Sequence, residues 1–239
     1  MIESPFKSGA SASRRQLALD LDVPPHFGRD DFLSGPPNET ALQMIEAWPH
    51  WPDQHLLLFG PPGAGKSHLA AIWACGAEAD IITAKSLTGA DLLALAAKPA
   101  LVVEDADTIG PAEAALFHLI NLVRERKTSL LVTARQRPEL WNLATADLLS
   151  RLRLAPAVEL GMPDDVLLNA VLVKLFCDRQ LTVEAAVVDY IARNIDRSLD
   201  LARHIVAWLD REALARGGKV TRAMARELLQ GLGTDEDER

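Results

Sequence analysis

Short apolar runs alternate with helical patterns over the first two thirds of the chain. We predict strands at 55–59, 81–82, 100–103, 129–133 and 157–160. We predict helices between them at 67–76, 91–97 and 111–127. Strands that helices separate in this way pair in parallel through right-handed crossovers. Because the strands are unbroken apolar runs, both faces of the sheet should be covered, which predicts an α/β domain with a parallel five-stranded sheet.

The pattern changes after Gly161, where the apolar residues recur only at helical spacing. Leu168, Leu172 and Phe176, for example, are four residues apart. Thr182 can cap the helix that follows them. We predict these helices at 162–180, from the Thr182 cap to about 194, at 199–216 and at 221–229.

The chain therefore divides into an α/β domain at 25–161 and a small all-α domain at 162–231. Residues 1–24 are expected to form a flexible arm, since the first fifteen are rich in Ser, Ala and Gly. Residues 232–239 are mostly acidic and are expected to be a disordered tail.

The composition excludes several classes of protein. The chain has 239 residues, 49% of them hydrophobic, so it can bury a core and is not a disordered chain. Its net charge of −8 argues against broad electrostatic binding of nucleic acid. Cys75 and Cys177 form neither a disulfide framework nor a metal-binding spacing. No apolar run approaches the ~20 residues of a membrane span and no signal peptide is evident, so we expect a soluble cytoplasmic protein.

A phosphate-binding loop is the most specific motif of the sequence. It has the pattern G-x-x-x-x-G-K-[ST] between a predicted strand and a predicted helix, which is the context this motif requires. Backbone N–H groups of such a loop point at phosphate oxygens, and the helix dipole adds to the attraction. Lysine reaches the β- and γ-phosphates, and the hydroxyl can bind Mg²⁺. The residues are Gly60, Pro61, Pro62, Gly63, Ala64, Gly65, Lys66 and Ser67.

Two carboxylates follow the third predicted strand. Glu104 and Asp105 should lie beside the first strand-to-helix turn, where one can hold Mg²⁺ through water and the other can orient an attacking water. With Ser67 they form the predicted magnesium site. Their order is Glu-Asp and not the commoner Asp-Glu, which leaves the two roles open and predicts weak intrinsic hydrolysis. Asp107 is interpreted as a turn or cap residue.

These motifs occur in the order found in AAA+ ATPases. The segments GPPGAGKSHLA after HLLLF, then VVEDAD, LLVTAR and LLSRL, resemble that family, and within it the DnaA-type replication initiators and their short regulatory relatives. The resemblance covers residues 16–230. It implies an AAA+ domain followed by a helical lid, with ADP or ATP and Mg²⁺ as cofactors. It also implies that the nucleotide site extends to His68, and that Phe32 and Asn38 in FLSGPPN pack near the adenine.

The resemblance further implies three residues that act on the phosphates. Thr133 occupies the sensor-1 position at the end of the fourth predicted strand. Arg151 lies in the stretch that carries the arginine finger, with Arg153 as the alternative. Arg197 matches the sensor-2 arginine of the lid, with Arg203 as the alternative. With Glu104 and Asp105, residues Thr133, Arg151 and Arg197 are the candidate catalytic residues.

A short peptide in the N-terminal arm indicates a protein partner. Gln16, Leu17, Leu19 and Leu21 form the pattern Q-L-x-L-x-L, which resembles the peptide by which bacterial proteins bind the sliding clamp of DNA polymerase. Glutamine can hydrogen-bond in a small polar pocket, while the spaced leucines can fill an apolar groove. A segment packed on its own domain is the alternative interpretation.

The first functional hypothesis is a regulator that docks on the DNA-loaded clamp and stimulates ATP hydrolysis by the initiator DnaA. This role and the initiator as partner are implied by the resemblance. No basic recognition helix is found, so we expect no sequence-specific DNA binding. A self-assembling ATPase of the helicase-loader type, which would be a homo-oligomer, is the alternative, followed by a P-loop kinase of a small metabolite.

Overall fold

The computed structural model describes residues 27–236 of the chain. Its five strands form one parallel sheet in the order β2-β3-β4-β1-β5, which confirms the predicted fold class. The strands are β1 His55–Phe59, β2 Asp80–Thr83, β3 Ala100–Glu104, β4 Ser129–Ala134 and β5 Ala157–Glu159. Their bounds differ from the predicted ones by no more than one residue at either end.

Helices connect the strands and then continue alone to the end of the described chain. Those around the sheet are α1 Glu39–Glu46, α2 Lys66–Ala77, α3 Leu92–Ala96, α4 Glu113–Arg126 and α5 Ala146–Leu154. Those of the all-α domain are α6 Asp165–Asp178, α7 Ala185–Arg193, α8 Leu199–Arg216 and α9 Arg222–Glu236.

The central strand β1 contributes to both cores of the α/β domain because successive side chains point to opposite faces. Leu57 and Phe59 pack with α4 and α5 on one face, while Leu56 and Leu58 pack with α1 and α2 on the other. All five residues of β1 are buried. The strand is thereby held from both sides, and the loop that follows it starts from a fixed position.

The expectation that both faces of every strand are covered fails at β2. Ile81 is 46% exposed there, although it belongs to an apolar run. The strand lies at the edge of the sheet and pairs only with β3, so fewer neighbouring side chains cover it.

The all-α domain has its own core. Leu168, Leu172 and Phe176 of α6 are buried in it, together with apolar residues of α7, α8 and α9. The chain passes from the sheet into this domain at Gly161, whose N–H donates to Pro37 O at 2.9 Å. The pairing fixes the start of the second domain against the segment that precedes α1.

Two local predictions for this domain are wrong. Thr182 does not cap α7, because the helix begins at Ala185 with Glu184 in the N-cap position. The preceding residues Leu181 and Val183 pack against the domain core, so this segment runs along the core before α7 begins. The last helix is longer than expected: α9 continues to Glu236 through the first part of the segment that was expected to be a disordered tail.

Several predictions cannot be compared with the structure. The clamp-binding peptide Gln16–Leu21 and the rest of residues 1–26 lie outside the described residues, as do residues 237–239. Among the helices of residues 27–236, none combines the length and apolar character needed to cross a membrane.

Candidate nucleotide-binding site

The loop from Gly60 to Gly65 joins the carboxyl end of β1 to the start of α2. Gly63 and Gly65 have φ angles of 71° and 106°, in the left-handed region that glycine adopts without strain. At Gly60 an added Cβ would overlap Leu160 O, so only glycine fits there. The first N–H groups of α2 have no partner within the helix, and at this position they are available to an anion.

A cleft of about 200 Å³ lies along this loop. It brings together eight of the residues that the sequence singled out: Pro62, Gly63, Gly65, Lys66, Ser67, His68, Asp105 and Thr133. The cleft is also lined by Arg203, the alternative to Arg197, and by three residues that were not predicted: Phe27, Arg135 and Asp200. The P-loop and the ends of β3 and β4 therefore border one space, as the parallel topology requires.

Lys66 is oriented by the loop itself. Its Nζ donates hydrogen bonds to Gly60 O at 2.7 Å and Pro61 O at 2.9 Å. Burial lowers the pKa of Lys66, whereas the carboxylates of Asp105 and Asp107 raise it. The ammonium is thus a positive charge held at the base of the cleft, in reach of a polyanion.

A hydrogen bond joins Asp105 and Thr133 at the carboxyl ends of β3 and β4. Asp105 N donates to Thr133 Oγ1 at 3.3 Å, and the Asp105 backbone has a left-handed φ of 53° that turns the chain out of β3. Thr133 is buried, while the Asp105 carboxylate is exposed to the cleft. Glu104, the last residue of β3, is only half-buried and does not line the cleft.

The donor set at this end fits a magnesium ion. Mg²⁺ keeps several of its waters and takes one or two carboxylates together with phosphate oxygens. The Ser67 hydroxyl and the Asp105 carboxylate border the same cleft. In the described part of the chain, no group of three or more His, Cys, Asp or Glu side chains could hold a metal by itself. This arrangement suits an ion that is bound only together with a phosphate ligand.

Phe32 and Asn38 have structural contacts and do not line the cleft. The ring of Phe32 packs edge-on against His68 with 5.1 Å between ring centres. The Asn38 side chain accepts from Gly35 N at 2.8 Å and donates to Leu33 O at 3.0 Å, so both its polar atoms fix the loop before α1. A contact of either residue with adenine remains a prediction.

The all-α domain is seated directly on the P-loop. Leu199 N, at the start of α8, donates to Gly63 O at 2.8 Å. Ser198 caps the same helix, since its Oγ accepts from Leu201 N at 3.2 Å. An added Cβ on Gly63 would overlap the Ser198 hydroxyl and come within 2.8 Å of Ser198 Cβ. The loop and the start of α8 are therefore in contact without room for a side chain.

This contact places Arg203 over the cleft. Its guanidinium lies 5.1 Å from the centre of the Phe27 ring, and its Nη2 is 3.5 Å from His68 Nδ1. Burial lowers the pKa of His68, whereas the hydrogen bond to the Gly28 carbonyl raises it by a smaller amount. A neutral imidazole protonated on Nε2 fits both contacts, because Nε2 then donates to Gly28 O at 3.0 Å and Nδ1 accepts from Arg203.

Arg197 is placed differently. Its Nη2 forms an ion pair with Asp165 Oδ1 at 2.9 Å, and its side chain is 54% exposed outside the cleft. Of the two lid arginines that the sequence offered, the structure brings Arg203 to the P-loop and leaves Arg197 at the surface between α6 and α8.

Arg151 lies at the opposite end of the strands, where the parallel strands begin. It belongs to α5, which leads into the start of β5, and parallel strands all begin at the same edge. Burial lowers the pKa of His55 at the start of β1, the charge of Asp53 raises it and that of Arg124 lowers it; Arg151 contributes in both directions, since its backbone raises this pKa and its guanidinium lowers it. Arg151 makes no ion pair with any of residues 27–236, whereas Arg153 Nε contacts Glu139 Oε1 at 3.0 Å.

The additional lining residues carried little signal in the sequence. Phe27 belongs to no motif, Arg135 ends the segment LLVTAR but was given no role there, and Asp200 lies in the first turn of an ordinary amphipathic helix. Asp107, interpreted from the sequence as a turn or cap residue, accepts from Arg135 N at 3.0 Å. Arg203 had been named from the sequence as the alternative to Arg197, because the lid was expected to supply an arginine.

The strand order, the P-loop and the helical domain together define an AAA+ fold. No protein-family model and no curated protein sequence matches the chain, but solved structures do. Domain III of the replication initiation protein DnaA from Thermotoga maritima matches with a TM-score of 0.76 and 19% identity, over 87% of this chain and 97% of that one.

Two further structures extend the comparison. AMPPCP-bound DnaA from Aquifex aeolicus matches with a TM-score of 0.67 and 15% identity, over 75% of this chain and 63% of that one. The RuvB Holliday junction branch migration motor of Thermotoga maritima matches with a TM-score of 0.68 and 20% identity, over 86% of this chain and 72% of that one. The chain thus has the AAA+ fold of the DnaA type, which RuvB shares.

The contact between the P-loop and α8 can be tested with a glycine pair. Gly63→Ala should destabilise the protein by about 1–3 kcal/mol, because the new Cβ is strained at positive φ and displaces Ser198. Gly76→Ala in α2 is the control: no neighbouring atom lies within 4 Å there, and helical alanine should be neutral or stabilising. Thermal unfolding followed by circular dichroism measures both.

Ser198→Gly in the Gly63→Ala background should recover part of the loss, since it removes the atoms that the new Cβ would meet. Equal melting curves for Gly63→Ala and the wild type would show that the two elements are not packed as described.

Proposed function

We propose that the chain binds an adenine nucleotide together with Mg²⁺ in the cleft along the P-loop. The complete loop, its left-handed glycines and the fixed ammonium of Lys66 support this, because together they form a site for a polyphosphate. The Aquifex structure is described as bound to AMPPCP, an adenine nucleotide analogue, in the same fold.

Each side chain has a distinct task in this proposal. Gly63 and Gly65 let backbone N–H groups approach the phosphates, and Lys66 neutralises their charge. Ser67 and Asp105 hold Mg²⁺, which when bound shields the negative charge between the phosphate oxygens. Arg203 covers the nucleotide from the all-α domain, the task that the sequence had suggested for Arg197.

Intrinsic hydrolysis should be slow. Orienting an attacking water requires a carboxylate directed at the terminal phosphate. Glu104 does not line the cleft, and Asp105, which does, is also the carboxylate available to the metal. The other carboxylate of the cleft, Asp200, pairs with Arg203 at 3.0 Å, so Asp105 would have to serve both purposes.

We further propose that the protein is an Hda-like regulator of replication initiation, which stimulates ATP hydrolysis by DnaA. The position of Arg151 carries this proposal. The P-loop follows the end of β1, whereas Arg151 lies in α5, just before the start of β5, and near His55 at the start of β1, so the length of the strand, roughly 13 Å, separates them. A guanidinium at that end of the strands can reach a nucleotide bound by another protein, but not a nucleotide in the cleft of its own chain.

The arm supplies the second part of the proposal. Gln16, Leu17, Leu19 and Leu21 dock on the DNA-loaded sliding clamp as an extended peptide. The clamp then brings Arg151 and the initiator together at high effective concentration, so neither contact needs to be strong alone.

The likeness to RuvB favours one alternative. A self-assembling ATPase would use Arg151 between identical subunits and would turn over ATP by itself. A small-metabolite kinase explains the P-loop but gives Arg151 no task. The rate of hydrolysis by the isolated protein distinguishes a self-assembling motor from a regulator.

Nucleotide binding depends on Lys66 in this proposal. Lys66→Ala removes the ammonium at the base of the cleft and should raise the Kd for ADP at least about tenfold, which corresponds to roughly 1.4 kcal/mol. Isothermal titration measures the change. Lys98→Ala is the matched control, since Lys98 is exposed and, within residues 27–236, pairs with Asp80 alone at 3.1 Å. Identical titrations for Lys66→Ala and the wild type would remove the P-loop from the site.

Clamp docking depends on the arm. Replacing Gln16, Leu19 and Leu21 together with alanine should abolish clamp binding in a surface-immobilised assay, because the polar anchor and both apolar contacts are lost. ADP affinity and melting temperature should stay at wild-type values. A variant that unfolds would instead support the interpretation that this segment packs on its own domain.

Stimulated hydrolysis depends on Arg151. In a mixture of this chain with ADP, clamp on DNA, and DnaA carrying labelled ATP, Arg151→Ala should lower the stimulated rate by about 10³-fold or more, the range seen where an arginine finger completes a site. Arg153→Ala should have little effect, since Glu139 already holds that side chain.

Full stimulation by the double variant Arg151→Ala/Arg153→Ala would exclude the proposed mechanism. Rapid ATP turnover by the isolated wild type, lost in Arg151→Ala, would favour the self-assembling motor.

A further inference from the structure

Arg135 is a cation of the cleft to which the sequence analysis assigned no role, although it ends the segment LLVTAR that contains Thr133. It follows β4 directly, and the parallel register pairs Phe59 with Ala134, so Arg135 comes level with the first residue of the P-loop. The hydrogen bond from Gly60 N to Ala134 O, 3.2 Å long, fixes this alignment. Arg135 therefore starts from a rigid part of the sheet.

The backbone of Arg135 is held, but its guanidinium is not. Arg135 N donates to Asp107 Oδ1 at 3.0 Å, which accounts for that carboxylate oxygen. The guanidinium Nε lies 4.0 Å from Asp107 Oδ2, too far for a hydrogen bond. Within residues 27–236 it has no other charged partner, and the side chain is 57% exposed. In the described part of the chain this guanidinium donates no hydrogen bond, and Arg135 is one of the residues that line the cleft.

The cleft has two chemically different ends. Phe27, His68 and Arg203 contact one another at the end beneath α8. Thr133 and Asp105 contact each other at the end formed by the sheet, where Arg135 also lies.

Lys66 couples to the second group of residues. Burial lowers the pKa of Lys66, the charges of Asp105 and Asp107 raise it, Arg135 lowers it, and Asp200 of α8 raises it by a smaller amount. The larger contributions of charge thus come from the sheet end. In a P-loop site, lysine and the magnesium ligands reach the β- and γ-phosphates. The sheet end of the cleft is therefore the end at which a nucleotide terminates.

We propose that Arg135 binds the third phosphate of a nucleoside triphosphate held in its own cleft, so that the protein distinguishes triphosphate from diphosphate. The inference rests on the proposed nucleotide binding and adds a residue to it. A guanidinium matches phosphate oxygens with two parallel N–H donors, and such charge-assisted contacts are among the strongest hydrogen bonds. A diphosphate ends at Lys66 and leaves Arg135 with Asp107 alone.

Titrations with AMPPCP and with ADP, each with Mg²⁺, test this. Arg135→Ala should raise the Kd for AMPPCP about tenfold while changing the Kd for ADP less than about twofold. Arg135→Lys should give an intermediate Kd for AMPPCP, because it keeps the charge and loses the paired donors.

The control is Arg137→Ala, another exposed arginine two residues further along. Its guanidinium packs over the Phe59 ring at 5.0 Å and pairs with Glu159 at 3.8 Å, and it does not line the cleft. Both affinities should stay unchanged in this variant, and all variants should melt at the wild-type temperature.

Equal weakening of both nucleotides by Arg135→Ala, or no weakening of either, would overturn the third-phosphate contact while leaving nucleotide binding intact. A wild-type protein that binds neither nucleotide would overturn the proposed function itself, and this contact with it.

Discussion

The contact between Gly63 and the start of α8 determines how the two domains meet. Leu199 N donates to the Gly63 carbonyl, and the Ser198 hydroxyl occupies the space that a side chain at Gly63 would need. The P-loop glycine thus has two tasks, one in the curvature of the loop and one in the packing of the domains. Because α8 is rigid, this one contact also positions every residue of its first turns, including Arg203.

The same packing explains how an acidic protein forms a cationic cleft. The chain carries a net charge of −8, yet Lys66, Arg135 and Arg203 border one space of about 200 Å³. They come from the P-loop, the end of β4 and the all-α domain. Asp105 and Asp200 also line it, so three cationic and two anionic side chains give the cleft a formal charge of +1 when His68 is neutral, which favours an anionic ligand.

The parallel sheet separates the candidate nucleotide site from Arg151. All strands end at the edge that carries the P-loop, Asp105 and Thr133, and all begin at the edge near Arg151. A nucleotide bound at the first edge would lie about the length of a strand away from Arg151. Within residues 27–236, the sheet therefore keeps the proposed nucleotide site and the proposed arginine finger at opposite ends of its strands.

The sequence by itself determined the features that depend on local pattern. The five strands follow from apolar runs, and the P-loop follows from eight consecutive residues whose spacing is imposed by the phosphate. Sequence spacing was less informative where a helix could begin at several residues, as at Thr182, or where an edge strand such as β2 is covered on fewer sides.

Tertiary structure alone decided which separate segments meet. Phe27, Arg135 and Arg203 are far apart along the chain and come together only because β4 is registered against β1 and α8 is seated on Gly63. Arg197 and Arg203 could not be distinguished by sequence pattern, since both are arginines near the start of one helix. The direction in which α8 leaves the P-loop turns Arg203 inward and leaves Arg197 with Asp165, and that direction is a property of the packed domains.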